Sequence, residues 1–242
     1  MRQHGVRVLS ERDRELLRFV GEQYLVTLPQ LAYLAGRSQR TARWLRTRWQ
    51  RAGLVDAAKL LLDEPSVVWL SRRGLAAVGL PWKALQPSYE TVARAALAVE
   101  VRLAAAEWYP EASWVSRRAL ANCPGTSRPL PDGIISRGQT TVAVIAATSE
   151  LDHRRRKQLV NELTWQHDHT LLVMASVSDR TREWVEQQGR LSALAFHRDP
   201  YNVMPPQLPA LETRWPSSPT GESWPMPRSV DPCGDFPTSL HT

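Results

Sequence analysis

A chain of 242 residues is long enough for one large or two modest domains, each burying its own core. Its net charge of +7 is local: residues 1–53 hold eleven Lys plus Arg against four Asp plus Glu, residues 54–199 eighteen against sixteen, and residues 200–242 two against four. The basicity therefore reads as an N-terminal polyanion-binding surface, with a solvated basic face as the alternative, and the two distant cysteines, Cys123 and Cys233, exclude a disulfide framework or a cysteine metal set.

The N-terminal MRQHGVRVLSERDR lacks the apolar core of a secretory signal, and no apolar run reaches membrane-spanning length. The sequence therefore predicts a cytoplasmic protein with no membrane partner. Ser10 opens the first predicted helix. Ser10-Glu11-Arg12-Asp13 resembles a capping box with Asp in the Glu place, Leu16, Leu17, Phe19 and Val20 follow, and Gly21 loosens the end. Thr27 caps a second helix with Pro29 in its first turn, continuing to Gly36. Ser38 caps a third, SQRTARWLRTRWQRAG, stopped by Gly53. Two helices joined by a tight Ala-Gly-Arg turn, the second one basic, make a helix-turn-helix. LVDAAKLLL, a turn at Asp63-Glu64-Pro65 and SVVWL predict a β-hairpin, and Ser71-Arg72-Arg73-Gly74-Leu75 starts a short helix. That order is the order of a winged helix, placed at residues 8–82.

Pro81 and Pro87 mark a linker, and a long helix is predicted from Ser88 to Trp108, with Val92, Ala96, Val99, Leu103 and Ala106 along one side and Pro110 as its stop. Linker and helix together occupy 83–110. Strands and helices then alternate over 111–199: ASWVSRRAL as a strand, a strand pair around PDGIIS and TTVAVIAAT, a basic helix from about Asp152 to about His167, the strand TLLVMASVS, a helix capped by Asp179, and the strand LSALAFH. This predicts a small α/β domain with a mixed sheet, in a chain that is α+β overall. Ten prolines in residues 200–242 predict a disordered tail.

The third helix carries the strongest chemical signal. Between Gln23 and Val55 there is no acid, yet Arg37, Arg40, Arg43, Arg46, Arg48 and Arg51 all fall there. The first four recur every third position as a drifting stripe, while Ala42, Leu45, Trp49 and Ala52 share another side and can face a core. An all-positive helix face suits double-stranded DNA. In a helix-turn-helix the start of the second helix meets base edges. That places Gln39, Arg40, Thr41, Arg43 and Trp44 nearest the bases, Arg37 and Ser38 near a phosphate, and Arg46, Arg48 and Arg51 on phosphates farther along. Six phosphate contacts predict a log–log salt slope near about −5. The hairpin offers Lys59, but its tip carries Asp63 and Glu64, which phosphate repels. Trp44, Trp49 and Trp69 are expected in or beside the core. Arg154-Arg155-Arg156-Lys157 reads as a solvated run or a second phosphate patch. Three adjacent residues, His167-Asp168-His169, do not converge easily on one metal ion. No Gly-rich phosphate loop, Ser-His-Asp constellation or cofactor fingerprint is present, so no cofactor is expected.

The helical N-terminus, the VVWLSRRG join, the long Ala-rich helix, ASWVSRRAL, the PDGII step and the strand after it resemble the replication-relaxation family of bacterial plasmids and integrative elements, over roughly residues 8–199. The resemblance implies a winged helix joined to a domain similar to restriction-endonuclease-like nucleases. Such a core uses an acid followed, on the next strand, by E-x-E or E-x-K to hold a divalent metal. Asp132 stands at the first acidic position. Ala146 and Thr148 stand where carboxylates belong, Glu150 and Asp152 come too late, and Ser116-Arg117-Arg118 has Arg where the pattern tends to have an acid. One carboxylate is a poor cage for a hard ion, so no metal site is expected. Asp132 reads equally as a turn aspartate before Gly133. The expectation is a non-enzymatic DNA-binding protein of a mobile element, acting in replication, transfer or transcription control. Its silent nuclease-like domain would serve a homodimer or dock a replication or transfer protein. The alternatives are a metal-dependent endonuclease using Asp132 with Glu150 or Asp152, and an adaptor whose basic helix binds an acidic protein.

Overall fold

The computed structural model describes residues 9–60, 65–124, 129–138, 140–147, 153–174, 183–184, 187 and 191–195. The chain is α+β with two sheets, and it divides into two compact units, Met1–Pro87 and Ser88–Thr242.

The first unit runs α1 (Glu11–Glu22), β1 (Val26–Thr27), α2 (Leu28–Ala35), α3 (Gln39–Arg51), β2 (Val55–Ala58), β3 (Val67–Leu70) and α4 (Arg72–Ala77). Each helix begins at a hydroxyl that accepts a backbone N–H of its own first turn: Ser10, Thr27, Ser38 and Ser71. At Thr27 the cap is reciprocal, because the Gln30 side chain accepts the Thr27 N–H at 2.9 Å. Gly36 ends α2 in the left-handed region, φ 60°, and its N–H and that of Arg37 return to carbonyls of the last turn. Leu16, Leu17, Phe19 and Val20 of α1 are buried, as are Leu31 and Leu34 of α2, Ala42, Leu45 and Trp49 of α3, and Val67, Val68, Trp69 and Leu70 of β3.

The β2–β3 hairpin pairs Val55 with Leu70 through Ala58 with Val67. β3 is also the middle strand of a three-stranded antiparallel sheet, because β1 pairs with it at Val26↔Val68. Gly21 does not loosen α1, which continues through it to Glu22. A methyl there would lie 2.5 Å from Leu80 Cδ1 and 2.8 Å from Leu70 Cδ1, so glycine permits close packing. The predicted hairpin tip, Asp63 and Glu64, lies outside the described residues.

The second unit runs α5 (Tyr89–Trp108), β4 (Ser113–Ser116), α6 (Arg117–Leu120), β5 (Gly133–Arg137), β6 (Thr140–Ala147), α7 (His153–Gln166), β7 (His169–Met174) and β8 (Leu191–Ala195). Its sheet order is β4-β5-β6-β7-β8, antiparallel through β6 and parallel from β6 to β8. Period-two alternation divides the core. Val142 and Val144 of β6, with Leu171 and Val173 of β7, pack with Val101, Ala104 and Ala105 of α5. Ala143, Ile145 and Ala147, with Leu172 and Met174, pack with Val160 and Leu163 of α7. The segment ASWVSRRAL is not one strand: Ser116 closes β4 and caps α6, accepting the Ala119 N–H at 3.2 Å. Asp179, Glu150, Asp152, Cys233 and the Pro-rich tail lie outside the described residues. No helix among the described residues is long and apolar enough to cross a membrane.

Candidate nucleic-acid interface

Helix α3 packs on the core through Ala42, Leu45 and Trp49, which are 0%, 9% and 1% exposed. At 100° per residue, the direction opposite that stripe is occupied by Arg40, Trp44, Thr47 and Arg51, with Arg43 and Gln50 on one flank and Arg48 on the other. The outward row is therefore spaced i, i+4, i+7, i+11. A row at every third residue turns back by about 60° per step, so the series Arg40, Arg43, Arg46 drifts toward the core: Arg46 is half-buried, and its Nε is buried without a hydrogen-bond partner among the described residues. Arg37, Arg40, Arg43 and Arg51 are exposed, and none makes a side-chain ion pair or hydrogen bond among the described residues.

One expectation for this helix, at Trp44, is corrected, while Arg48 is half-buried. Its guanidinium forms an ion pair with Oδ1 of Asp13, a buried residue of α1. The same Oδ1 accepts Trp49 Nε1–H at 3.1 Å, and Oδ2 accepts the Ser10 hydroxyl at 2.7 Å. Asp13 thus fastens the start of α1 to the last turns of α3. Trp44 is not core: it is 56% exposed, and the Arg48 guanidinium lies 4.7 Å from its ring centroid. Trp49 and Trp69 are buried as expected.

Ser38 and Thr41 hold each other at the start of α3, with hydroxyl oxygens 3.2 Å apart and the Thr41 N–H donating to Ser38 Oγ at 3.4 Å. Gln39, the first residue of α3, is half-buried, and Lys59, just past β2, is exposed. Arg73 of α4 also flanks α3. Its side chain lies beside Gly53, because Ser71 Oγ donates to Gly53 O at 2.6 Å and seats α4 against the end of α3. A methyl on Gly74 would overlap the Leu54 carbonyl, which makes that seat close.

In the second unit Asp132 is buried at the bend that leads into β5. Its N–H donates to Val144 O at 2.7 Å, extending the β5–β6 ladder. The carboxylate has three partners: Arg94 Nε at 3.2 Å and Arg117 Nη1 at 3.6 Å on Oδ1, and the Ala146 N–H at 2.9 Å on Oδ2. Burial pushes the Asp132 carboxyl above its ordinary value, and the two guanidiniums and the Ala146 amide only partly offset this. Ala146, at a place where the resemblance wants an acid, is buried and supplies only its N–H. Thr148, Glu150 and Asp152 lie outside the described residues.

His167 is buried, with Nδ1 3.4 Å from Thr141 Oγ1, and Asp168 Oδ2 accepts the Thr141 N–H at 2.8 Å. Burial holds the His167 imidazole below its ordinary pKa, with Asp168 pulling the other way. Of the run Arg154–Lys157, only the backbone of α7 is described.

No known family model matches the chain, and no curated protein matches it. Among solved structures, the crystal structure of NadR in complex with 4-hydroxyphenylacetate aligns at 21% identity over 41% of this chain and 61% of that one. The TM-score of that alignment is 0.27.

Proposed function

We propose that the first unit is a winged helix that binds double-stranded DNA through α3. The observation that carries this reading is a set of exposed arginines without ion-pair partners among the described residues, Arg40, Arg43 and Arg51 on a helix without one acid and Arg37 in the turn before it. The element order helix, strand, helix, helix, hairpin supports it. So does the seating of α3, whose apolar side is committed to the core and whose cationic side is left for a partner. Arg40 and Arg43, near the start of α3, take base edges. Arg37, Arg46, Arg51 and Lys59 take phosphates.

The second unit, on this proposal, is a nuclease-like fold without catalysis that serves dimerisation or docking in a plasmid or mobile-element protein of replication, transfer or transcription control. The order of its five strands, flanked by α5 and α7, supports that reading. At Asp132, two guanidiniums already provide the positive charge that a divalent ion would bring. The deciding experiment measures duplex binding of the full chain and of Arg40→Ala/Arg43→Ala, with DNA cleavage assayed in magnesium and in manganese. DNA binding abolished by the double substitution supports the proposal. Wild-type protein that ignores duplexes at low salt removes it, and cleavage abolished by Asp132→Asn makes the second unit an enzyme.

A further inference from the structure

We propose that Trp44 is a base-reading residue that covers the C5-methyl group of a thymine, and that Arg48 is the positioning residue that holds its indole in place. The inference rests on the reading of α3 as a DNA-binding helix and adds how that helix discriminates. Trp44 stands in the middle of the outward row, one turn from Arg40 and two turns from Arg51, and is 56% exposed. An indole left in water at the centre of a cationic face forgoes the burial that its neighbours Leu45 and Trp49 obtain. Arg48, one turn farther along, lies against the ring at 4.7 Å from its centroid.

That guanidinium is itself anchored through its ion pair with Asp13. Asp13 is fixed in turn by Trp49 Nε1–H at 3.1 Å and the Ser10 hydroxyl at 2.7 Å, both short-reach groups. The indole is therefore held from the core outward through Asp13 and Arg48. A preset apolar plane suits an apolar target. In the major groove, the apolar group on a base edge is the thymine methyl, whereas an indole laid over the amino, keto or ring-nitrogen edges would strip their water without replacing it. The arginines on either side supply the polar reading that the indole lacks.

The test uses the full chain. A preferred duplex is selected from a random pool, and each thymine in it is replaced singly by deoxyuridine, which keeps the hydrogen-bonding edge and removes only the methyl. The expected result is one position where the replacement weakens binding about four-fold, the value of one buried methyl group. That ratio falls to one in Trp44→Ala. It also shrinks in Arg48→Met but is largely kept in Arg48→Lys, which can still pair with Asp13. Circular dichroism checks that the variants remain folded. Wild-type protein indifferent to every thymine-to-uracil replacement, or Trp44→Ala retaining the discrimination, overturns the inference while leaving DNA binding intact. Equal ratios in wild type, Arg48→Met and Arg48→Lys overturn the positioning role alone. A wild-type chain that selects no duplex removes the inference together with the DNA-binding reading.

Discussion

The Asp13–Arg48 pair changes the salt dependence expected of DNA binding, and the change is large enough to measure. Six arginines on phosphates give a log–log slope of about −5.4, because each neutralised phosphate contributes about −0.9. Arg48 is withdrawn by its ion pair with Asp13, and Arg40 and Arg43 are assigned to base edges. Arg37, Arg46, Arg51 and Lys59 remain for phosphates, so the slope becomes about −3.6. A four-fold rise in salt then weakens binding about 150-fold, against about 1,800-fold for six contacts. Fluorescence anisotropy of a labelled duplex, titrated at several salt concentrations, measures this directly. Arg51→Ala should reduce the slope by about 0.9, whereas Arg48→Ala should leave it unchanged even where it lowers affinity. A wild-type slope near −5 that drops by about 0.9 in Arg48→Ala refutes the assignment. It would mean that Arg48 leaves Asp13 for a phosphate on binding.

Two further outcomes follow from the buried polar groups. Asp13→Ala leaves the Trp49 indole N–H, on a residue 1% exposed, without its acceptor, at a cost of about 1–3 kcal/mol. Loss of the part-exposed Arg48 pair adds less than about 1 kcal/mol. The unfolding midpoint of the first unit should fall by roughly 5–20 °C, with Asp13→Asn milder because its amide oxygen still accepts. A fall below about 2 °C in Asp13→Ala counts against Asp13 as the α1–α3 fastening. In the second unit two groups give opposite pH slopes. His167, held below its reference value of 6.5, contributes stability that is complete above that value and lost as pH falls below it; His167→Gln should remove this slope. Asp132, raised above its reference value of 3.8, contributes stability that is complete below that value and lost as pH rises through its folded value; Asp132→Asn should flatten that limb in denaturant titrations.

The features legible in the sequence were those set within one helical turn. The hydroxyls at Ser10, Thr27 and Ser38 cap the helices expected of them, since a cap and its acceptor site lie three residues apart. Gly36 and Gly53 stand at positive φ at the ends of α2 and α3 for the same local reason. β1 was not legible, because two residues carry no period. The strand drawn through Ser116 was too long because Val115 and Leu120 are both apolar, while the cap that separates them is one hydroxyl.

The exposure of Trp44 runs against the usual burial of tryptophan, yet it follows from the angular position that Ala42, Leu45 and Trp49 fix for it on α3. The partners of Arg48 and Asp132 could not be read at all. Asp13 lies 35 residues from Arg48, and Arg94 and Asp132 come together only when α5 and β5 pack in the second unit.

The arginines of α3 and those of the second unit answer different electrostatic needs. In the second unit Arg94 and Arg117 compensate a buried carboxylate, and Arg137 pairs with Glu111 at 3.7 Å. Their charge is answered inside the protein. Along α3, among the described residues, only Arg48 has such a counterpart, at the C-terminal end, where the helix dipole already favours a cation. Arg40 and Arg43 stand at the other end. There the dipole opposes positive charge, the first turn holds no acid, and neither has an ion-pair partner among the described residues. Two like charges at i, i+3, beside the positive end of a helix, raise the free energy of the unliganded fold. An anion placed against that end relieves the repulsion and also meets the N–H groups left over at the start of the helix. The least comfortable end of α3 is therefore the end that a phosphate backbone flanking a major groove would stabilise most.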